Sequence, residues 1–153
     1  MGQKVGKASF DERAKPFVNL PRESIQALWQ EFNLCADGWG VDPAFFDQLC
    51  HATTKPKGAD HDEQATRALF AAFDTDKNDL VDGLELISTL GMLSGMTREE
   101  KVEFVFACYD IGGRSRLSTD ELYLLLKSTC TGLCKLSGID APDSARLESI
   151  ASL

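Results

Sequence analysis

The stretch from Asp74 to Glu85, DTDKNDLVDGLE, carries the most chemistry in the sequence. Counted from Asp74, side chains able to offer oxygen ligands stand at positions 1, 3, 5, 9 and 12. A hard cation such as calcium takes six to eight oxygens at about 2.3–2.6 Å. Short carboxylates at alternate positions let a tightly turning backbone aim each oxygen at one centre. Leu80 needs no side-chain oxygen, because its carbonyl serves as the ligand. Glu85 opens the next helix and is long enough to offer both carboxylate oxygens. The spacing predicts one divalent-cation site held by Asp74, Asp76, Asn78, the Leu80 carbonyl, Asp82 and Glu85. Calcium is the expected ion, with magnesium as a competitor. The competing reading is a solvated acidic turn with helix caps at either end. A turn this tight takes a left-handed backbone at position 6, where Asp79 stands. Asp accepts that conformation at a cost of about 1 kcal/mol, which lowers affinity without destroying the site.

Two further stretches share the register but not the ligands. The loop Asp110 to Glu121 has acidic residues at positions 1 and 12, but Gly112 at position 3 and Arg114 at position 5. A guanidinium where the ion belongs repels a divalent cation. The expectation is a metal-free loop in which Arg114 and Arg116 replace the ion's charge by pairing with Asp110, Asp120 or Glu121. An earlier stretch has Leu34, Ala36, Gly38 and Phe45 at positions 1, 3, 5 and 12, so no oxygen cage is possible there. Each loop has one apolar residue just before a cap-like one: Val41 before Asp42, Val81 before Asp82 and Leu117 before Ser118.

Helices must position these loops. Ile25, Leu28, Trp29 and Phe32 recur at helical spacing, and Asp42-Pro43 starts a helix carrying Phe45, Phe46 and Leu49. Leu69, Phe70 and Phe73 precede the acidic loop; Leu84, Ile87 and Leu90 follow it. Thr97 with Glu100 forms a capping box before Val102, Val105, Phe106 and Tyr109. Leu122, Leu124, Leu125 and Leu126 follow the third loop. Pro142 opens one more helical segment with Leu147 and Ile150. No strand-length alternation occurs, so the fold class is all-α, built from helix-loop-helix repeats. Residues 1–20 read as a flexible basic arm, with Lys4, Lys7, Arg13 and Lys15.

Composition narrows the function. Sixteen basic against 24 acidic residues give a net charge of −8, which argues against nucleic-acid binding. No apolar run approaches the roughly 20 residues of a membrane span. Five cysteines, an odd number, suit free thiols in a cytoplasmic setting better than a disulfide framework. No phosphate loop or nucleophile constellation marks an enzyme.

The Asp74–Glu85 pattern and its apolar flanks resemble the EF-hand superfamily. The MGQK start and the segment Phe70 to Leu126, with Phe73-Asp74 and Tyr109-Asp110, are similar to its neuronal calcium sensor, calcineurin B and calaxin-like branch. The resemblance covers about 110 residues from Arg22 onward. It implies residues 21–93 as a lobe pairing a degenerate first hand with a metal-binding second hand through Val41 and Val81. It implies residues 97–153 as a degenerate third hand with an incomplete partner, the start of a fourth hand, so that the chain continues past Leu153 or another polypeptide covers Leu122, Leu125 and Leu126. Gly2 is a candidate lipid-attachment residue, although Gly6 departs from the Ser or Thr expected there, and acylation would give weak membrane contact.

Two functions follow. One is a calcium-binding regulatory protein that engages a target polypeptide, such as an amphipathic helix, when calcium binds. The other is a light-chain-like structural adaptor in a larger ciliary or cytoskeletal assembly, with calcium optional.

Overall fold

The computed structural model describes residues 10–153, all but a few of its elements helical. Seven α-helices follow in order: α1 Arg22–Cys35, α2 Pro43–Thr54, α3 Glu63–Phe73, α4 Gly83–Leu93, α5 Arg98–Tyr109, α6 Thr119–Ser137 and α7 Ser144–Ala151. Their starts are chemically marked. Asp42 accepts from the Phe45 N–H at 2.8 Å to cap α2, and Asp62 accepts from the Ala65 N–H at 3.0 Å to cap α3. Thr97 and Glu100 form the expected capping box on α5, and Ser118 with Glu121 forms a second on α6. Gly138, at φ +65°, ends α6 in the left-handed turn that glycine adopts without steric cost.

Two short strands link the first and second loops. Gly40–Val41 (β1) and Val81–Asp82 (β2) run antiparallel, with Val41 opposite Val81. Both valines are buried. Leu117, the corresponding residue of the third loop, is half-buried and belongs to no strand among the described residues.

One apolar core runs through both halves of the chain. Leu28 and Phe32 of α1, Phe46 of α2, Phe73 of α3 and Ile87 of α4 join Val105 and Tyr109 of α5 and Leu136 of α6 in a single cluster. The boundary expected between residues 93 and 97 is therefore a turn and not a break in packing, because α6 lies across both α3 and α4. Gly132 makes the closest approach in the α4–α6 crossing, where a Cβ would collide with the Thr89 hydroxyl. Polar bonds also join α5 to α4: the buried Tyr109 hydroxyl donates toward Ser88 Oγ at 3.1 Å and the Leu84 carbonyl at 3.3 Å. Leu147 and Ala151 of α7 are buried, and α7 packs against α6.

The segment before α1 corrects the flexible-arm expectation for its described part. Glu12–Phe17 form a 3-10 helix, and Ala14, Phe17 and Leu20 are buried in the core. Apolar residues every third position suit a helix of three residues per turn. The Asp11 N–H donates to the Leu136 carbonyl at 2.6 Å and the Asn19 N–H to the Leu93 carbonyl at 2.8 Å, strapping the segment across α6 and α4. Gly2 lies outside the described residues. No helix among the described residues is long and apolar enough to cross a membrane.

Candidate metal centre

The second and third loops share one backbone. Positions 4 and 6 are left-handed in both: Lys77 and Asp79 at φ +56° and +60°, Gly113 and Ser115 at φ +61° and +58°. Three of these four residues carry a side chain, so the turn is made without the glycine that position 6 ordinarily requires. The position-1 carboxylate closes each turn. Asp74 accepts from the Asn78 and Asp79 N–H groups, both at 3.1 Å, and Asp110 accepts from the Arg114 and Ser115 N–H groups at 3.0 and 2.9 Å. Position 9 then caps the exit helix. Asp82 accepts from the Glu85 N–H at 3.1 Å, as Ser118 does from the Glu121 N–H at 3.2 Å. The first loop keeps this last feature in the Asp42–Phe45 cap.

The six residues singled out in the second loop occupy distinct places on that frame. Asp74 is buried at the end of α3, while Asp76, Asn78 and Asp82 are exposed. Asn78 Oδ1 accepts from the Leu80 N–H at 3.0 Å. The Leu80 side chain points to solvent at 52% exposure, as suits a residue contributing only its carbonyl. Glu85 is buried on the first turn of α4. Among the described residues no three acidic, histidine or cysteine side chains converge on one point. The carboxylates of Asp74 and Asp82 instead serve the loop's own N–H groups, and Glu85 turns to a lysine.

That lysine is Lys135, on α6. Its Nζ lies 2.7 Å from Glu85 Oε1 and donates to the Phe73 carbonyl at 2.9 Å. Burial pushes the Glu85 carboxyl above the ordinary glutamate value, and the Lys135 ammonium partly offsets this. Lys135 escapes sequence reasoning, because no local motif connects it to a loop so far upstream. In the third loop the cation is internal. Arg114 Nη2 pairs with Glu121 Oε2 at 2.9 Å, while Arg116 lies beside an apolar groove. Of the two arginines expected to neutralise that loop, Arg114 alone does so. The Ser118 N–H above all, with the Gly112 N–H and Arg114 adding to it, holds the Glu121 carboxyl down to about 2. The donor set of the second loop, all hard oxygen, fits calcium, with no cation inside the loop to oppose it except exposed Lys77.

The groove has a volume of about 700 Å³ and lies between α5 and α6. Val102, Phe106, Leu122, Leu125 and Leu126 line it, and Leu122, Leu125 and Leu126 are only half-buried. The aromatic residues of the first hand do not form such a groove. Trp29, Trp39 and Phe45 each stack on the buried Phe32, with centroids 6.0–6.1 Å apart.

The chain is 33% identical over 143 residues to the calcium-binding protein NCSA of Dictyostelium discoideum, covering 86% of this chain and 74% of that protein. It is 33% identical over 110 residues to a recoverin family protein of the same organism, covering 69% of this chain and 48% of that one. It is 37% identical over 113 residues to the calcineurin B protein of Candida glabrata, covering 72% of this chain and 60% of that one. The chain thus spans about half the length of the recoverin family protein. No protein-family model matches the chain. No solved structure matches it.

Proposed function

Since this chain belongs to the EF-hand proteins of the neuronal calcium sensor kind, we propose that it is a calcium-binding regulatory protein whose ion site is the Asp74–Glu85 loop. The observation that supports this reading is the loop itself. Oxygen donors stand in ligand order on a backbone that already turns left-handed at Asp79, with Glu85 on the first turn of the exit helix. Asp74, Asp76, Asn78, the Leu80 carbonyl, Asp82 and Glu85 would hold the ion, and magnesium would compete for the same oxygens. Calcium would supply two positive charges to a loop rich in carboxylates. The chain's own part is to hold those oxygens on one turn and to carry α4 at its far end. The α5–α6 groove is the surface we assign to a protein target, because half-buried leucines there offer apolar area to a partner's helix.

The adaptor reading keeps one specific support. Both position-12 glutamates are already paired, to Lys135 and to Arg114, so each already has a cationic partner without an ion. Calorimetry combined with an apolar dye separates the two readings. The regulatory protein binds one calcium per chain and changes its dye fluorescence as the ion is added. Ion binding without a change in dye fluorescence would leave the adaptor, and absence of ion binding would remove the metal site altogether.

A further inference from the structure

The Lys135 ammonium touches both ends of the second loop at once. It meets the Phe73 carbonyl immediately before Asp74, and it meets Glu85 at position 12. Neither contact is a loose surface pair. The Glu85 side chain keeps 9% of its exposure and the Lys135 side chain 24%. The crossing of α4 and α6 holds the pair in place: Gly132, one turn before Lys135, lets α6 lie directly over Glu85 and Thr89. We propose that Lys135 is an intramolecular competitor for the cation of the second loop, so that ion binding through Glu85 and the seating of α6 on the end of α3 exclude one another. This rests on the ion-site reading above.

The physical basis is simple. A carboxylate oxygen 2.7 Å from an ammonium cannot also sit at ligand distance from a divalent ion without bringing two cations together. Glu85 is the residue placed to offer both oxygens, so it is the ligand for which the competition is strongest. When the ammonium leaves, α6 loses its hydrogen bond to the Phe73 carbonyl as well. The rest of the seam resists separation less than an apolar one would. Thr89 Oγ1, against which Gly132 packs, is buried there without a hydrogen-bond partner and gains water when the helices part. Thr129 and the half-buried Leu125 and Leu126 also line the α5–α6 groove, so a shift of α6 reaches that surface directly. By linkage, a partner that favours the released position of α6 tightens calcium binding by the factor with which calcium tightens the partner.

The full chain provides the test. Calcium is titrated calorimetrically into the natural sequence, Lys135→Met and Lys135→Arg. Removing the ammonium while keeping the apolar stem lowers the calcium dissociation constant about tenfold, the worth of one charge-assisted hydrogen bond. Lys135→Arg keeps the competitor and stays near the natural value. The natural chain is also treated with an amine-acetylating reagent, with chelator or with calcium, and Lys135 modification is read by mass spectrometry. Modification is slow in chelator and speeds up severalfold with calcium. This second readout decides the matter if Lys135→Met does not fold. Equal or weaker calcium binding by a folded Lys135→Met, or Lys135 acetylation that ignores calcium in a chain that binds it, overturns the competitor while leaving the ion site standing. If neither the natural chain nor Lys135→Met binds calcium, the ion site itself falls and the competitor falls with it.

Discussion

Arg114 Nη2 stands 2.9 Å from Glu121 Oε2, so the third loop carries at position 5 the cation that its position-12 carboxylate needs. The second loop has Asn78 at position 5, and its position-12 carboxylate meets a cation that arrives from another helix. The backbones are alike down to the same left-handed residues and the same Asp-to-backbone bonds. The frame is therefore independent of metal ligation, and side-chain charge decides what each loop can hold.

For the second loop, Glu85→Gln removes the ligand able to offer two oxygens and replaces it with one carbonyl. The dissociation constant for calcium rises by about tenfold or more, and the stoichiometry in the natural chain is one ion. Calorimetry checks both. Two ions per natural chain would contradict the assignment of the third loop.

The third loop should become a site by exchange of charge. Gly112 makes room for Arg114: a Cβ at Gly112 would lie 2.9 Å from Arg114 Nε. Gly112→Asp therefore belongs with Arg114→Asp, and the pair restores oxygen donors at positions 3 and 5. Titration of this double variant should show a second calcium ion. Micromolar calcium binding by the natural third loop would show the charge argument to be wrong.

Acid should loosen the third loop. The Glu121 carboxyl lies at about 2 in the folded chain, against an ordinary value of 4.5. A depressed carboxyl contributes stability that is fully present above its unfolded value and is lost as pH falls through the folded one. That contribution should fade between about pH 4.5 and pH 2, and Glu121→Gln should remove it at neutral pH. Glu85 acts in the opposite sense. Its raised carboxyl opposes folding at neutral pH and is relieved on protonation. Thermal unfolding across pH for the natural chain and Glu121→Gln measures the difference.

Tyr109 ties α5 to α4. Its ring is fully buried and its hydroxyl donates toward Ser88 and the Leu84 carbonyl. Tyr109→Phe keeps the ring and removes the donor, at a cost of about 1 kcal/mol in denaturant unfolding. A loss of roughly 3 kcal/mol or more would mean that the substitution has disturbed the packing as well, as in a cavity.

Much of this is legible in the sequence because it is local. The ligand order from Asp74 to Glu85, the cap of Asp42 on Phe45 and the Thr97–Glu100 box all depend on residues within one loop or one helical turn. Val41 and Val81 can be matched because each loop repeats the same register. Lys135 is hidden for the converse reason: it reaches Glu85 only through the crossing of α4 and α6, which no local spacing encodes. The 3-10 segment escapes because its basic residues suggest solvent, while Ala14, Phe17 and Leu20 repeat every third residue and face inward. Arg116 shares its charge with Arg114 but lies two residues further on, past the turn, and comes to rest by the groove.

At Gly132 the backbone of α6 lies directly against the Thr89 side chain. The seated arrangement consequently tolerates no added volume there, whereas the parted arrangement is indifferent to it. A single methyl, as in Gly132→Ala, would act as a wedge, biasing the two populations by steric bulk alone. The helix crossing can thus be set mechanically, independently of any cation.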